Sequence, residues 1–262
     1  MKLHYREYGS FREGRPSLVL LHGLLGSSSN WHSIARNLEK DFHLLVPDLR
    51  NHGRSPHDPE AGYVALAMDV LALIDDQGFD SVVLVGHSMG GKAAMWLSLD
   101  QPDLVAGLVV VDVSPVQYPN RFGTILNGLN GIDLDCIDNR EEADRQLAPV
   151  LDQKALRQYL LQNLVQEDGG WRWRVNLDAI TSSMDKIVDF PDIPDSSQYL
   201  GPVQFIYGGN SDYVLPEHEK FIRDAFPFAR LRSIPGAGHW VYSEKPDLFL
   251  QALNSFLSKE LL

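Results

Sequence analysis

Residues 82–99 read VVLVGHSMGGKAAMWLSL, and the order of these residues decides the fold. Val82–Val85 is a continuous apolar run of the kind that fills a strand covered on both faces. The run Lys92–Leu99 has the character of a helix, so the chain must turn from strand to helix within Gly86-His87-Ser88-Met89-Gly90-Gly91. So tight a turn forces Ser88 into a strained backbone angle. Side chains at 86 and 90 would strike neighbouring chain, hence glycine at both. Ser88 then projects at the carboxyl end of its strand, as the serine of a nucleophile elbow does. The Met89 amide begins the helix, where unpaired donors and the dipole favour a developing negative charge, so Met89 is expected as one oxyanion donor.

Outward from this point, similar short apolar runs recur at Leu18–Leu21, Phe42–Val46, Leu108–Val111, Val203–Tyr207 and Ala229–Ile234. Helical spacing lies between them at Tyr63–Gln77, Gly91–Leu99, Glu217–Phe226 and Pro246–Leu261. Strand and helix alternate, which predicts an α/β fold with a mostly parallel twisted sheet flanked by helices. From about Pro115 to Leu200 the alternation breaks. Tyr159–Val165 reads as helix, Gly169-Gly170 as a turn and Ile137–Arg145 as a solvated acidic helical face. The expected division is therefore a core of residues 1–114 and 201–262 carrying a helical cap insertion of residues 115–200.

The chain has 262 residues, 44% of them hydrophobic, enough to bury one substantial core. Lys plus Arg number 23 against 35 for Asp plus Glu, a formal charge of −12. With no basic stripe either, nucleic acid is not an expected partner. The first ten residues have neither a secretion signal's apolar centre nor a lipid anchor's polybasic flank. No run approaches the roughly 18 apolar residues of a membrane span. The single cysteine, Cys136, cannot pair within the chain, and Asp135 and Asp138 beside it oppose a thiolate. A cytoplasmic protein without membrane association is expected, either monomer or homodimer.

His22-Gly23-Leu24-Leu25-Gly26 follows the first buried strand, and its glycines let backbone approach a substrate carbonyl. Leu24 is the expected second oxyanion donor. His22 and His87 end buried strands, where imidazoles usually hold loops through hydrogen bonds. Residues 48–55, DLRNHGRS, are read as a polar network around a turn. No spacing typical of metal ligands occurs, and neither a dinucleotide nor a Walker loop is present, so no metal and no cofactor is expected.

The general base is expected at His239, in Pro235-Gly236-Ala237-Gly238-His239-Trp240, where small neighbours leave the imidazole free to swing towards the serine. It would take the hydroxyl proton during attack and return it to the leaving alcohol. Two aspartates end candidate strands and could hold the imidazole tautomer, Asp112 in residues 109–115 (VVVDVSP) and Asp212 in residues 207–212 (YGGNSD). Residue chemistry alone leaves both open.

Taken together, GHSMGG at 86–91, HGLLG at 22–26, DLRNHGRS at 48–55, GGNS at 208–211 and GAGHW at 236–240 resemble the YbfF-type bacterial esterases of the α/β-hydrolase superfamily. The likeness runs the length of the chain and is weakest in the cap. It implies the α/β-hydrolase fold, a cap over the site and ester hydrolysis without a cofactor. It also implies an acid at a D-x-[SA]-P motif, matched here by Asp112. In those relatives the position of Asp212 need not be acidic, so this chain departs by offering a second carboxylate, and Asp212 is kept as the alternative acid.

The cap supplies apolar and aromatic residues, among them Phe122, Leu126, Tyr159 and Trp173, that suit either an acyl pocket or the cap's own core. The expected activity is hydrolysis of small carboxylic esters, short to medium in the acyl part, through an acyl-enzyme on Ser88. Thioester hydrolysis, carbon–carbon bond hydrolysis on the same triad, and a weakly active small-ligand receptor are the rivals, since fold does not fix chemistry.

Overall fold

A computed structural model of the protein describes residues 1–193 and 197–260. The apolar runs form the buried middle of a sheet. In chain order its strands are β1 (Tyr5–Tyr8), β2 (Ser17–Leu21), β3 (Leu44–Pro47), β4 (Val82–His87) and β5 (Val105–Val111), then β8 (Val203–Gly208) and β9 (Arg230–Ile234). Outside it, β6 (Leu164–Glu167) and β7 (Gly170–Trp173) pair as a separate hairpin. The seven strands run in the order β1-β3-β2-β4-β5-β8-β9. All neighbours are parallel except β1 and β3.

Because side chains alternate across a strand, each central strand feeds two cores. Val19, Leu21, Leu84, Leu108 and Val110 share one core with Leu66, Val70 and Ile74 of helix Tyr63–Asp76 and with Ala93 and Leu97 of helix Met89–Asp100. Leu18, Leu20, Val83, Val85 and Val109 meet the other, built on Ile34 of helix His32–Leu38 and on Phe249, Leu253 and Phe256 of helix Pro246–Glu260. Each such side chain contributes about 1.5–3 kcal/mol on burial. The expected end of the last helix, Leu261, lies outside the described residues.

Between β5 and β8 the chain leaves the sheet. It forms helices Gly123–Asn130, Arg140–Leu147, Lys154–Leu160, Leu177–Ser182 and Met184–Val188, together with the hairpin. Residues 194–196 of the expected cap lie outside the described residues. Leu126, Leu129, Leu147, Leu160 and Ile180 of this segment join the first core without a break. Lys92 of the Met89–Asp100 helix reaches into it and donates to the carbonyls of Val116 (2.9 Å), Val188 (3.0 Å) and Asp189 (2.6 Å).

The structure departs from the local readings at four places. Tyr159–Val165 is not one helix: it ends at Leu160, passes through a 3-10 turn, and Leu164 opens β6. The cause lies downstream, where Asp168 (φ 51°) and Gly169 (φ 84°) make a two-residue turn that closes a hairpin, with Val165 facing Arg172 and Leu164 facing Trp173. The turn is thus one residue earlier than the Gly-Gly pair suggests. β1 went unread because Tyr-Arg-Glu-Tyr holds no apolar run; its charges suit an exposed sheet edge. The strand expected from Phe42 begins only at Leu44.

Candidate active site

Strand register brings the site together. His87 pairs with Val111 across β4 and β5, so Ser88 and Asp112 are the residues that follow two aligned strand ends. The Ser88 amide donates to Val111 O at 3.0 Å, and the Asp112 amide to Ile206 O at 3.0 Å. Both residues have left-handed backbone, each at φ 52°, a strained conformation for side chains of this kind. The steric reading of the elbow glycines holds. A Cβ on Gly86 would come within 2.3 Å of Gly90 O, and one on Gly90 within 2.6 Å of both Leu21 O and His22 O.

The Asp112 carboxylate is fully buried and accepts three hydrogen bonds. Oδ1 takes the Gly208 amide at 2.9 Å, and Oδ2 takes Ser211 Oγ at 2.5 Å and His239 Nδ1 at 2.7 Å. Asp212, the alternative acid, is not brought to the imidazole. It is exposed and paired with Arg121, whose guanidinium holds its carboxyl below the usual range. The reason is the path of the loop after β8, which aims Ser211 inward at Asp112 and Asp212 outward at the segment before helix Gly123–Asn130.

His239 is held more firmly than its small neighbours suggest. Its ring stacks on Tyr213 at 4.0 Å between centroids, 22° from parallel. Glu244 braces its loop by accepting the Gly238 amide at 2.7 Å and the Trp240 amide at 3.2 Å. His87 Nε2 donates to the carbonyl of His239 at 3.0 Å. The expected free swing of the imidazole therefore gives way to a fixed ring. Ser211, Tyr213 and Glu244 were not foreseen as supports. Ser211 belonged to a quoted motif, but nothing in local sequence points Glu244 back at residues 238 and 240.

Three of the other histidines, His22, His52 and His87, hold loops through hydrogen bonds. Nδ1 of His22 donates to Gly23 O at 2.8 Å while its Nε2 accepts the Leu49 amide at 3.0 Å. His52 accepts the Leu25 amide at 3.1 Å, and burial pushes its pKa down to about 3. Burial likewise holds His22 and His87 below the usual histidine value. Asp48 ties the turn of residues 48–55 to the end of the loop after β2, accepting the Arg54 amide at 2.9 Å and the Ser28 amide at 2.6 Å.

Ser88 opens into a cavity of about 230 Å³ whose lining includes Leu24, Met89, Tyr63, Lys92, Phe122 and Val188. The amides next to Leu24 along the loop are engaged, Leu25 by His52 and Gly26 by Gly23 O. Of the four pocket candidates only Phe122 lines this cavity. Leu126 packs into the core, Tyr159 donates to Leu24 O at 3.1 Å and packs against Trp240, and Trp173 lies on the hairpin. Apolar periodicity marks such residues as buried without saying against what. Cys136 is exposed, and Asp133 followed by Asp135 pushes its thiol up. Among the described residues no cluster of His, Cys, Asp and Glu would hold a metal ion, and no helix is long and apolar enough to cross a membrane.

Comparison with known proteins agrees with this fold. Residues 16–246 match the family model described as alpha/beta hydrolase fold. The mouse sn-1-specific diacylglycerol lipase ABHD11 is 43% identical, over 93% of this chain and 81% of its own length. Esterase YbfF of Escherichia coli is 37% identical, over 98% of this chain and 100% of its own. A solved marine microorganism esterase superposes with a TM-score of 0.93 at 38% identity, covering 98% of this chain and 99% of that one. With an elbow serine over a mostly parallel sheet, and an esterase and a lipase as relatives over most of their length, the chain belongs to the α/β-hydrolase superfamily, among the hydrolases of YbfF type.

Proposed function

We propose that the protein is a serine esterase that hydrolyses small carboxylic esters, short to medium in the acyl part, through an acyl-enzyme on Ser88. The observation that carries this reading is the lining of one cavity by Ser88, Leu24, Met89 and Tyr213, the last stacked on an imidazole whose Nδ1 is held 2.7 Å from a buried carboxylate. With Nδ1–H donating to Asp112, Nε2 of His239 is left to accept the Ser88 proton. Ser88 Oγ attacks the ester carbonyl, the oxyanion is met by the Leu24 and Met89 amides, and His239 passes the proton to the departing alcohol. Water then attacks the acyl-enzyme, giving its proton to His239. The carboxylic acid leaves as the serine regains a hydrogen. Residues 115–200 act as a cap over this site.

The cavity, about 230 Å³, lies below the roughly 300–1,000 Å³ of pockets for drug-sized ligands, which favours a short or medium acyl group. The mouse relative's name refers to a diacylglycerol, and such a substrate would need more room than this cavity offers. In a panel of p-nitrophenyl esters, Ser88→Ala should lose about 10⁴-fold or more in kcat. A fluorophosphonate should label the wild type and spare the variant. Full esterase activity in Ser88→Ala would overturn the mechanism; absence of turnover with intact labelling would favour the receptor reading. Thioester and carbon–carbon substrates run beside the esters separate the remaining rivals.

A further inference from the structure

Tyr63 stands where two spaces come within one side chain of each other. On one side is the cavity that holds Ser88, bounded here by Lys92, Ile187 and Val188. On the other is a surface groove of about 510 Å³ lined by Val64, Ala65, Phe190 and Pro191. Among the described residues, Tyr63 is the one that lines both. The neighbouring chain divides in the same way, since Ile187 and Val188 line the cavity while Lys186 and Asp189 line the groove.

The ring is fixed in this position. Its hydroxyl donates to Ile187 O at 2.5 Å. Lys92 Nζ lies 5.6 Å from its centroid on the cavity side, and the Phe190 ring 6.4 Å away on the groove side. The groove beyond is mainly apolar, with the Glu60–Lys186 ion pair (3.0 Å) among its polar boundary. An acyl tail that passed the ring would therefore meet a surface able to take it.

We propose that Tyr63 is the stop that sets the length of acyl chain accepted at Ser88, and that the groove behind it is the path a longer chain takes once the ring is removed. The proposal rests on the esterase reading above. Each further methylene that an apolar site buries raises kcat/KM by about fourfold, and a chain that meets the ring forfeits that gain.

The test measures kcat/KM for p-nitrophenyl butyrate and laurate. In Tyr63→Ala the laurate-to-butyrate ratio should rise about tenfold or more, mainly through a lower KM for laurate. Tyr63→Phe keeps the ring and should keep the wild-type ratio. Adding Ala65→Trp to Tyr63→Ala refills the groove and should reverse the gain. Tyr63→Leu, which leaves an apolar side chain in the core, replaces the alanine variant should that fail to fold. Labelling of Ser88 by short- and long-alkyl fluorophosphonates reads the same preference without turnover. An unchanged ratio in a folded, labelled Tyr63→Ala or Tyr63→Leu overturns the proposal, as does a gain that Ala65→Trp leaves untouched. Failure of the wild type to turn over butyrate and to label at Ser88 would instead overturn the esterase reading, and the stop with it.

Discussion

Asp112 and Asp212 show how little two similar local contexts say about two carboxylates. Both follow an apolar run, but Asp112 is buried with three donors on its oxygens, one of them His239 Nδ1, while Asp212 is exposed beside Arg121. Asp112→Asn removes tautomer control and should lower kcat by about 10⁴-fold while the protein still folds. Asp212→Asn breaks an exposed pair with Arg121 on the wall of the cavity, worth about 0–1 kcal/mol, and leaves the imidazole's partner in place, so activity should stay within about tenfold. Steady-state kinetics with a melting curve on each variant checks both, and a larger loss at Asp212 would reverse the assignment. Composition around the two positions could not separate them, because the choice depends on where the loop after β8 turns. The family resemblance supplied the preference for Asp112 that residue chemistry left open.

The elbow is the part most fully legible in sequence. A buried strand, a turn with no spare residues and a helix leave few ways to place Ser88, and its φ of 52° is the result. Gly90→Ala tests the crowding that this demands. Its Cβ would lie 2.6 Å from two backbone oxygens, which have no flexible side chain to yield. We expect a loss of about 3 kcal/mol in denaturant unfolding, with esterase activity falling alongside. Gly123→Ala, at a helix start with nothing within 4 Å, should be neutral or slightly stabilising. Equal stability of the two variants would contradict the steric account. The β6–β7 hairpin was misread at the same level, because Tyr159–Val165 satisfies helical spacing and only pairing with residues 170–173 makes its end a strand.

Lys92 ties the elbow helix to both ends of the inserted segment through the carbonyls of Val116, Val188 and Asp189. Tyr63 and Tyr118 present ring faces to its ammonium. Burial lowers its pKa to about 7, with the Asp189 charge opposing the shift. The folded value thus lies below the unfolded one, so between about pH 7 and 10.5 the unfolded chain binds more protons. Stability should rise with pH across that window, by at most about 1.4 kcal/mol per pH unit from this group, and be flat below it. Lys92→Met deletes the linkage and strands three acceptors. It should be about 3 kcal/mol less stable at pH 8, and the gap to wild type should widen as pH rises. Parallel urea-derived stability profiles from pH 7 to 9.5 would rule this out.

Hydrophobic periodicity and turn chemistry act over a few residues, and at that range the chain specified its parallel sheet, its elbow, the loop carrying Leu24 and the histidine loop after the last strand. Folding in three dimensions decided the rest. Asp112 meets His239 across 127 residues of chain, Lys92 finds its carbonyls, and Tyr63 comes to stand between cavity and groove. The physical reason is that an apolar pattern states which face of an element is buried. Its partner follows only from strand register and the paths of loops closed over long stretches of chain.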